Sequence, residues 1–490
     1  MNSQKNNLLR YSHNRADSFK KTTDDLFNLI NLYSNQAELS PLYDYFEKKY
    51  SLPRSIVQQK IKNQIGLSYQ FKKGKFIDKL SLKSIPLSLL NYFALFYALF
   101  FTRKDSKVKK YKLIIDDVCS EHELDRFEKI INLVGKENTL VVLRNVDIKK
   151  KSSGYNFYNK KLFQDLNKSY LYKTILNEFL YGVWIILRVS FKTKVNLLPF
   201  SLQVIHSFLS FKTIFENNNA EYLLQERHYS TNSIKNYLFK KNGGIATTTI
   251  QKNIMQLDPM YFFMDIDVLF SFGTEGFERA IEYGGNIAKV LPVGSLFMEH
   301  YWFKNKKKYY KKFDVLFIGQ NMSNAIERED KFSKFNDDYY DCFRWLVNLK
   351  HDYPGLSIAI MHHASAGFDK LENHILKETL IEVLDQSHNT YSAALSAKCN
   401  VTYGSSMGYE LLGHNIPMVF MDPGYRCTYL PELKQSKTID SLRAQNYKEF
   451  AQFVCLAVKE SNKCNLKPDL EKFCLESDKV SNKINLFFSQ

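Results

Sequence analysis

Short β-branched apolar runs alternate with amphipathic stretches of helix length along most of the chain, and this alternation restricts the possible folds strongly. The runs YKLIIDDV (111–118) and TLVVLRNVDI (139–148) are separated by a stretch of helix length. A strand, a helix and a strand in this order are typical of an open parallel sheet. The same alternation resumes at 220–230 and continues through 244–253 and 267–295. We therefore predict a parallel α/β domain over this part of the chain.

A second block of the same alternation follows the strongly basic run KNKKKYYKK at 304–312, which contains no aliphatic residue. Its predicted strands are 313–322, 356–365, 399–406 and 416–424. We predict an α/β fold of two Rossmann-like domains that face a cleft, with extra helices at the N-terminus and inserted into the first domain. The predicted bounds are a helical N-terminal segment at 1–80, a first domain at 81–303 and a second domain at 313–490. Ligands of such sheets bind at the carboxyl ends of the strands.

The chain is basic, with 68 Lys and Arg against 51 Asp and Glu and a net charge of +17. This excess favours an anionic partner, which could be nucleic acid, an acidic membrane or a phosphorylated ligand. Zinc-finger, helix-turn-helix and RNP patterns are missing, so nucleic acid is the weakest of these alternatives. The seven Cys are scattered and the N-terminus is polar, which predicts reduced thiols and a cytoplasmic protein.

An uncharged apolar run, IPLSLLNYFALFYALFF, occupies 85–101 and is flanked by Lys and Arg. It is shorter than the roughly 20 residues that a helix needs to cross a bilayer. Two alternatives stay open, a helix lying in an anionic membrane interface and a helix buried in the domain. We expect peripheral contact with the inner face of the membrane, because the basic residues cluster beside this run.

The stretch NVTYGSSMGYELLGHNIPMVFMDPG (400–424) carries the most specific chemistry in the sequence. Ser405 and Ser406 follow a predicted strand and open a helix, so their hydroxyl and N–H groups could bind a phosphate. The alternative is that one of them simply caps the helix. Glu410 follows one turn later on the same helix.

This order of a strand, small polar residues, a helix with a Glu, and a Gly with a Pro four residues on resembles the donor half of the GT-B glycosyltransferases, which use nucleotide sugars. The resemblance implies that Glu410 binds the ribose and that Ser405, Ser406 and the Met407 backbone contact phosphate. The first Glu of the E-x7-E motif would fall on Thr402, so the retaining subfamily with both Glu residues is not supported.

His362 and His363 follow a predicted apolar strand, where sialyltransferase-like and Kdo-transferase-like enzymes have a His-Pro motif. The later Ser-Ser motif of those enzymes resembles Ser405 and Ser406. The resemblance implies a CMP- or UDP-linked donor, although His363 replaces the Pro. Gly319 after a strand allows close approach of a phosphate. Arg426 is a further donor contact or a surface-loop residue.

The order of segments from 220 to 295 resembles the acceptor domain of glycosyltransferases of bacterial surface and capsular polysaccharides. An acceptor hydroxyl needs a base, and the candidates, in order, are Glu275, His228 and Asp116. Asp265 and Asp267 form a DxD sequence, which we interpret as the start of a strand rather than as a metal site. We expect no metal and no cofactor besides the nucleotide-sugar co-substrate.

The resemblance implies an enzyme that moves a sugar from a nucleotide sugar to a cell-surface polysaccharide or a lipid-linked glycan. The alternatives are a nucleotide-sugar epimerase or a glycerol-phosphate polymerase with the same two-domain fold, and a basic nucleic-acid-binding protein. Sequence alone does not choose the sugar, the nucleotide, the acceptor or the stereochemistry.

Overall fold

The structure is a computed structural model. It describes residues 24–25, 27–71, 85, 86, 89, 108–144, 154–159, 172–174, 176, 181–228, 231–253, 263–305, 312–319, 335–363, 374–377, 379–385, 389–423, 443–459 and 471–490. Arg426 and nearly all of the apolar run 85–101 therefore lie outside the described residues. None of the described helices is both long and apolar enough to cross a membrane.

The first sheet has seven strands among the described residues, in the order β3-β2-β1-β4-β5-β6-β7. The strands are β1 (Lys109–Val118), β2 (Thr139–Leu143), β3 (Asn156–Asn159), β4 (Asn218–Gln225), β5 (Ala246–Ile250), β6 (Asp265–Ser271) and β7 (Asn286–Pro292). The pairs from β3 to β6 are parallel. Every residue of β2 and β5 is buried, as expected for strands of a parallel sheet that is covered on both faces.

The second sheet has six parallel strands among the described residues, in the order β10-β9-β8-β11-β12-β13. They are β8 (Phe313–Ile318), β9 (Ile358–Met361), β10 (Glu382–Val383), β11 (Ala397–Thr402), β12 (Met418–Met421) and β13 (Arg443–Ala444). One face of this sheet packs against a buried cluster that includes Phe343, Leu346 and Phe450.

Helices connect the strands and cover the sheets. In the N-terminal part they are α1 (Ser40–Tyr50), α2 (Arg54–Phe71), α3 (Glu121–Val134), α4 (Val183–Thr193), α5 (Leu198–Asn217), α6 (Ser233–Lys241) and α7 (Glu278–Glu282). In the C-terminal part they are α8 (Leu296–Asn305), α9 (Phe335–Asp352), α10 (Thr390–Leu395), α11 (Ser406–Leu412), α12 (Tyr447–Lys459) and α13 (Val480–Phe488). The apolar-aromatic α5 has buried residues on several sides, so its sequence reflects packing within the domain.

Both sheets follow the same winding rule. In each of them the chain adds two strands on one side of its first strand and then crosses to the other side, so that β1 lies beside β4 and β8 lies beside β11. This order is that of the Rossmann fold, in which the point of reversal is the usual binding crevice. The predicted α/β fold with two Rossmann-like domains is therefore confirmed.

The described chain forms two compact units. The first contains 24–270, 277–291 and 481–490, and the second contains 271–276 and 292–480. The chain thus enters the second unit upstream of the basic run 304–312, and helix α13 returns to the first unit. There Phe488 lies with its ring centroid 5.1 Å from that of Tyr222. The N-terminal helices also pack in the first unit, where Gln59 donates a hydrogen bond to the Phe263 carbonyl (3.0 Å).

Candidate functional site

The point of reversal in the second sheet lies between β8 and β11, and one threonine ties the two strand ends together. The Thr402 hydroxyl donates to the Ile318 carbonyl at 2.8 Å and lies 3.3 Å from the backbone N–H of Ser405. The turn that follows β11 is therefore held over the end of β8. This turn leads through Gly404 into the two serines that the sequence singles out.

Ser405 is the N-cap residue of α11, but its side chain makes no capping hydrogen bond. Capping by this hydroxyl, the alternative interpretation of the sequence, is therefore not observed. Ser405 and Ser406 are both half-buried, whereas the side chain of Met407 is buried. The two serines thus present polar side chains at the point of reversal.

Gly319 directly follows β8 and is packed tightly by other parts of the chain. Its N–H donates to the Met361 carbonyl at 2.9 Å. A Cβ atom at this position would lie 3.1 Å from that carbonyl oxygen and 3.1 Å from the Tyr339 hydroxyl. The close approach of β9 and Tyr339 explains why this position holds a glycine. The predicted reason was a different one, a contact with phosphate.

The two adjacent histidines after β9 differ in solvent exposure, although burial by the surrounding protein lowers the pKa of both imidazoles. His362 is buried near the Phe343 ring, and this burial lowers the pKa of the imidazole. It is therefore neutral at pH 7. His363 is exposed at the carboxyl end of the strand. Of the pair, His363 is the residue that a ligand at this edge of the sheet can reach.

Glu410 lies on α11, and its side chain is turned into the protein. Only 2% of the residue is exposed. Its carboxylate accepts hydrogen bonds from the hydroxyl of Ser295 and from that of Tyr391, the latter at 3.0 Å to Oε2. A buried carboxylate needs such donors because it loses its hydration. Here the carboxylate predicted to bind ribose holds three elements of the second unit together.

The sequence did not identify Ser295 and Tyr391 as partners of Glu410, although Ser295 is the last residue of the predicted strand segment VLPVGS. The Ser295 hydroxyl also accepts from the Met298 N–H at 3.1 Å, so it caps α8. The Tyr391 ring stacks on Tyr301 of the same helix, with centroids 4.8 Å apart. A serine directly before a helix is a recognisable capping signal. Its hydrogen bond to Glu410 forms only through tertiary packing.

Asp116, one of the predicted bases, lies in a buried ion pair at the end of β1. Its Oδ2 accepts from the Lys235 ammonium of α6 at 2.6 Å, and both side chains are at most 5% exposed. The pair is located at the point of reversal of the first sheet, beside β4. A carboxylate held in this way is occupied by the Lys235 ammonium and faces no solvent from which an acceptor could approach.

His228 is completely buried. Its Nδ1 accepts from the backbone N–H of Lys252 at 3.0 Å. Burial, together with the nearby Lys252 charge, lowers the pKa of the imidazole to about 3. Such a group is a weak base at pH 7, so the observed environment does not suit the predicted removal of an acceptor proton.

Glu275, the first-ranked of the predicted bases, is exposed in the loop 272–276 of the second unit. Its backbone N–H donates to the Lys472 carbonyl at 2.9 Å, and the Leu475 N–H donates to the Phe272 carbonyl at 2.8 Å. A Cβ atom on Gly273 would lie 2.3 Å from the same Lys472 oxygen. The backbone of this loop is therefore fixed while the carboxylate of Glu275 stays in contact with solvent.

A network of charged residues that the sequence interpretation did not identify occupies the carboxyl edge of the first sheet. Glu226 pairs with Lys252 at 2.9 Å and with Arg227 at 2.5 Å. Arg227 also reaches Glu123 at 3.0 Å. Burial opposes ionisation of Glu123, but the Cys119 N–H and Arg227 outweigh it and lower the pKa of this carboxyl. The sequence feature that could have indicated this network is the charged dipeptide Glu226-Arg227 directly after a strand.

The DxD sequence marks the start of a strand, as predicted. Asp265 begins β6, and Asp267 accepts from the backbone N–H of Thr247 at 2.7 Å on the neighbouring strand. The Asp267 carboxylate also pairs with Lys240.

Comparison with known proteins gives a fold likeness only. No protein-family model and no curated protein matches the chain. Among solved structures, the chain is similar to the UDP-GlcNAc 2-epimerase from Methanocaldococcus jannaschii, with 11% identity, a TM-score of 0.43, and coverage of 78% of this chain and 100% of that one. It is also similar to MurG from Acinetobacter baumannii, with 10% identity, a TM-score of 0.40, and coverage of 78% and 99%.

A third similar structure is the UDP-GlcNAc 2-epimerase from Neisseria meningitidis bound to UDP-GlcNAc, with 10% identity, a TM-score of 0.43, and coverage of 78% and 99%. Identities and scores of this size carry no argument about activity. The strand orders of its own two sheets establish that this chain is an α/β protein with two Rossmann-like domains.

Proposed function

We propose that this protein is a glycosyltransferase that takes its sugar from a nucleotide sugar. The observation that carries the proposal is the position of Ser405 and Ser406, which follow β11 at the point of reversal of the second sheet. The Ser405 hydroxyl makes no capping hydrogen bond. Hydroxyl groups at such an edge can donate hydrogen bonds to phosphate oxygens. The exposed His363, which follows β9 at the same end of the sheet, supports the same placement.

The proposed reaction needs a base for the acceptor hydroxyl and stabilisation of the departing nucleotide phosphate. Glu275 is the proposed base, because its carboxylate is exposed on a loop whose backbone is fixed. Ser405, Ser406 and His363 are the proposed donor contacts in the described part of the chain. Arg426 stays a proposed donor contact by its sequence position. The sugar passes to the deprotonated acceptor oxygen while the bond to the donor phosphate breaks.

The finer proposal is an acceptor of the cell-surface kind, a polysaccharide or a lipid-linked glycan at the inner face of the membrane, with a CMP- or UDP-linked donor. It is supported by the resemblance of the 220–295 segments and by the basic residues beside the apolar run 85–101.

A thermal-shift screen with CMP, UDP, GDP and their sugars tests the donor site, because a ligand that binds only the folded state raises the melting temperature. We expect one nucleotide to stabilise the protein and the Ser405→Ala/Ser406→Ala variant to lose that shift. Ser55→Ala, at an exposed position of α2, is the matched control and should keep it. An unchanged shift in the double variant would place the nucleotide elsewhere.

A second assay separates the reaction types. Release of free nucleotide that strictly requires a glycan acceptor supports the glycosyltransferase. Interconversion of nucleotide sugars without an acceptor supports the epimerase alternative, and incorporation of glycerol phosphate supports the polymerase alternative.

A further inference from the structure

Helices α1 and α4 of the first unit enclose a groove that none of the proposed chemistry uses. The groove has a volume of about 460 Å³. Tyr45 of α1 is 5% exposed, and its ring centroid lies 6.1 Å from that of Tyr181, just before α4. The groove is therefore a formed cavity that opens between two packed helices.

The solvent side of α4 is aromatic. Tyr181, Trp184 and Phe191 are 56%, 57% and 59% exposed. They follow one another at helical spacing with Arg188, so the four side chains share one face. The opposite face is buried through Ile186 and Val189. Exposure of large aromatic side chains to water is unfavourable. Three of them on one helix face indicate an interaction surface for a protein, a membrane or a ligand.

The groove is also strongly cationic. Lys48, Lys49, Arg188 and Lys192 are among the described residues that line it, and Asp44 is the lining residue of opposite charge. The excess is three positive charges within one cavity. The guanidinium of Arg188 lies over the Trp184 ring, 5.6 Å from its centroid. Cations and aromatic rings are thus interleaved on the same surface.

We propose that the α1–α4 groove binds the phosphate groups of anionic phospholipids and so attaches the first unit to a bilayer surface. Tryptophan and tyrosine prefer the interface between headgroups and acyl chains. Lysine and arginine bind the lipid phosphates there while their aliphatic stems stay on apolar surface. The residues that line the groove come from 41–49 and 181–192. The proposal stands whether or not the proposed glycosyltransferase activity is correct.

A bilayer fits this groove better than a nucleic acid does. Tyr181 and Trp184 lie next to each other on the exposed face of α4, followed by Arg188 and Phe191. Aromatic residues beside cations on one surface are typical of contact with the boundary between lipid headgroups and acyl chains.

Vesicle flotation with the full chain tests the proposal. The vesicles are phosphatidylcholine alone and an equal mixture of phosphatidylcholine and phosphatidylglycerol. We expect binding to the anionic mixture and little binding to phosphatidylcholine. The Arg188→Gln/Lys192→Gln variant should lose about 25-fold in affinity for the anionic vesicles. Lys241→Gln/Lys289→Gln removes two exposed charges from the same unit and should lose little.

Tryptophan fluorescence gives an independent readout. Of the three tryptophans, Trp184 is the exposed one, because Trp302 is half-buried and Trp345 is 9% exposed. We expect anionic vesicles to shift the emission to shorter wavelength in the wild-type chain. The Trp184→Phe variant should still bind and should lose that shift.

Equal losses in the two double variants, or equal binding to both kinds of vesicle, would overturn the proposal. So would an emission shift that persists in Trp184→Phe. Binding of an oligonucleotide that depends on Arg188 and Lys192, with vesicle binding unaffected, would assign the groove to a nucleic acid instead.

Discussion

Ser295 and Glu410 lie 115 residues apart in the sequence and share one buried hydrogen bond, in which the serine hydroxyl donates to the carboxylate. The same hydroxyl caps α8, and the carboxylate belongs to α11. Tyr391 of α10 completes the group at 3.0 Å. One carboxylate thus connects three short helices of the second unit, and it lies four residues along α11 from the proposed phosphate contact Ser406.

Glu410 is therefore predicted to stabilise the fold more than it contributes to ribose binding. Tyr391→Phe removes one donor from a buried carboxylate and should lower the free energy of unfolding by about 2 kcal/mol. Tyr172→Phe, at a residue that is 55% exposed, should change it little. Urea unfolding measures both. Donor binding that is lost in Glu410→Gln at a temperature where this variant is fully folded would instead support the ribose role.

The buried pair of Asp116 and Lys235 leads to a second prediction. Asp116→Asn leaves the Lys235 ammonium buried without its carboxylate and should cost about 3 to 5 kcal/mol in the free energy of unfolding. The matched control is Glu382→Gln, which removes the exposed pair of Glu382 with Lys312 and should cost less than about 1 kcal/mol. Partial recovery in Asp116→Leu/Lys235→Met would identify the cost as that of an unpaired buried charge.

A third prediction concerns pH. The pKa of His228 is about 3 in the folded protein and near its ordinary value of 6.5 in the unfolded chain. The unfolded chain therefore binds a proton below pH 6.5 that the folded protein does not bind, so stability is lost as the pH falls towards 3. At pH 5 the loss from this group is about 2 kcal/mol.

His228→Gln should reduce that pH dependence, since glutamine does not titrate and can still accept from the Lys252 N–H. His374→Gln, at an exposed position of the second unit, should leave the dependence unchanged. Unfolding measured from pH 7 to pH 4 provides the comparison. An identical slope in wild type and His228→Gln would mean that His228 is accessible to protons in the folded state.

Gly319 gives a fourth prediction. Gly319→Ala places a Cβ atom 3.1 Å from the Met361 oxygen and the Tyr339 hydroxyl, so it should destabilise the second unit by about 1 to 3 kcal/mol. Gly355→Ala has no neighbour within 4 Å and should be neutral or slightly stabilising. Partial relief of the cost in Gly319→Ala/Tyr339→Phe would locate the strain at the tyrosine hydroxyl.

Much of the fold could be predicted because the strands are short, buried and β-branched. The central strands β1, β4, β8 and β11 all lie within or beside predicted runs. The strands β3, β10 and β13 were not predicted. All three are edge strands, and two of them contain only two residues. Strands this short show no recognisable periodic pattern in the sequence.

The site was less predictable, because identical residues can differ in exposure. His362 and His363 are neighbours in sequence, yet one is buried beside Phe343 and the other is exposed. Asp116 ends a strand, as a catalytic carboxylate can, but Lys235 of α6 occupies its carboxylate. Such partners come together only through tertiary packing, which spacing along the chain does not encode.

The last prediction concerns the base. If Glu275 removes the acceptor proton, Glu275→Gln should lower kcat by about 10²- to 10⁴-fold and leave the nucleotide-induced thermal shift unchanged, because an amide cannot take up the proton. Glu476→Gln alters another exposed carboxylate of the second unit and should keep full activity. Gly273→Ala should also lose activity, since its Cβ would collide with the Lys472 oxygen and displace the loop. Equal kcat in wild type and Glu275→Gln would exclude this residue as the base, whereas restored activity of Glu275→Gln at higher pH, where hydroxide replaces the missing carboxylate, would support it.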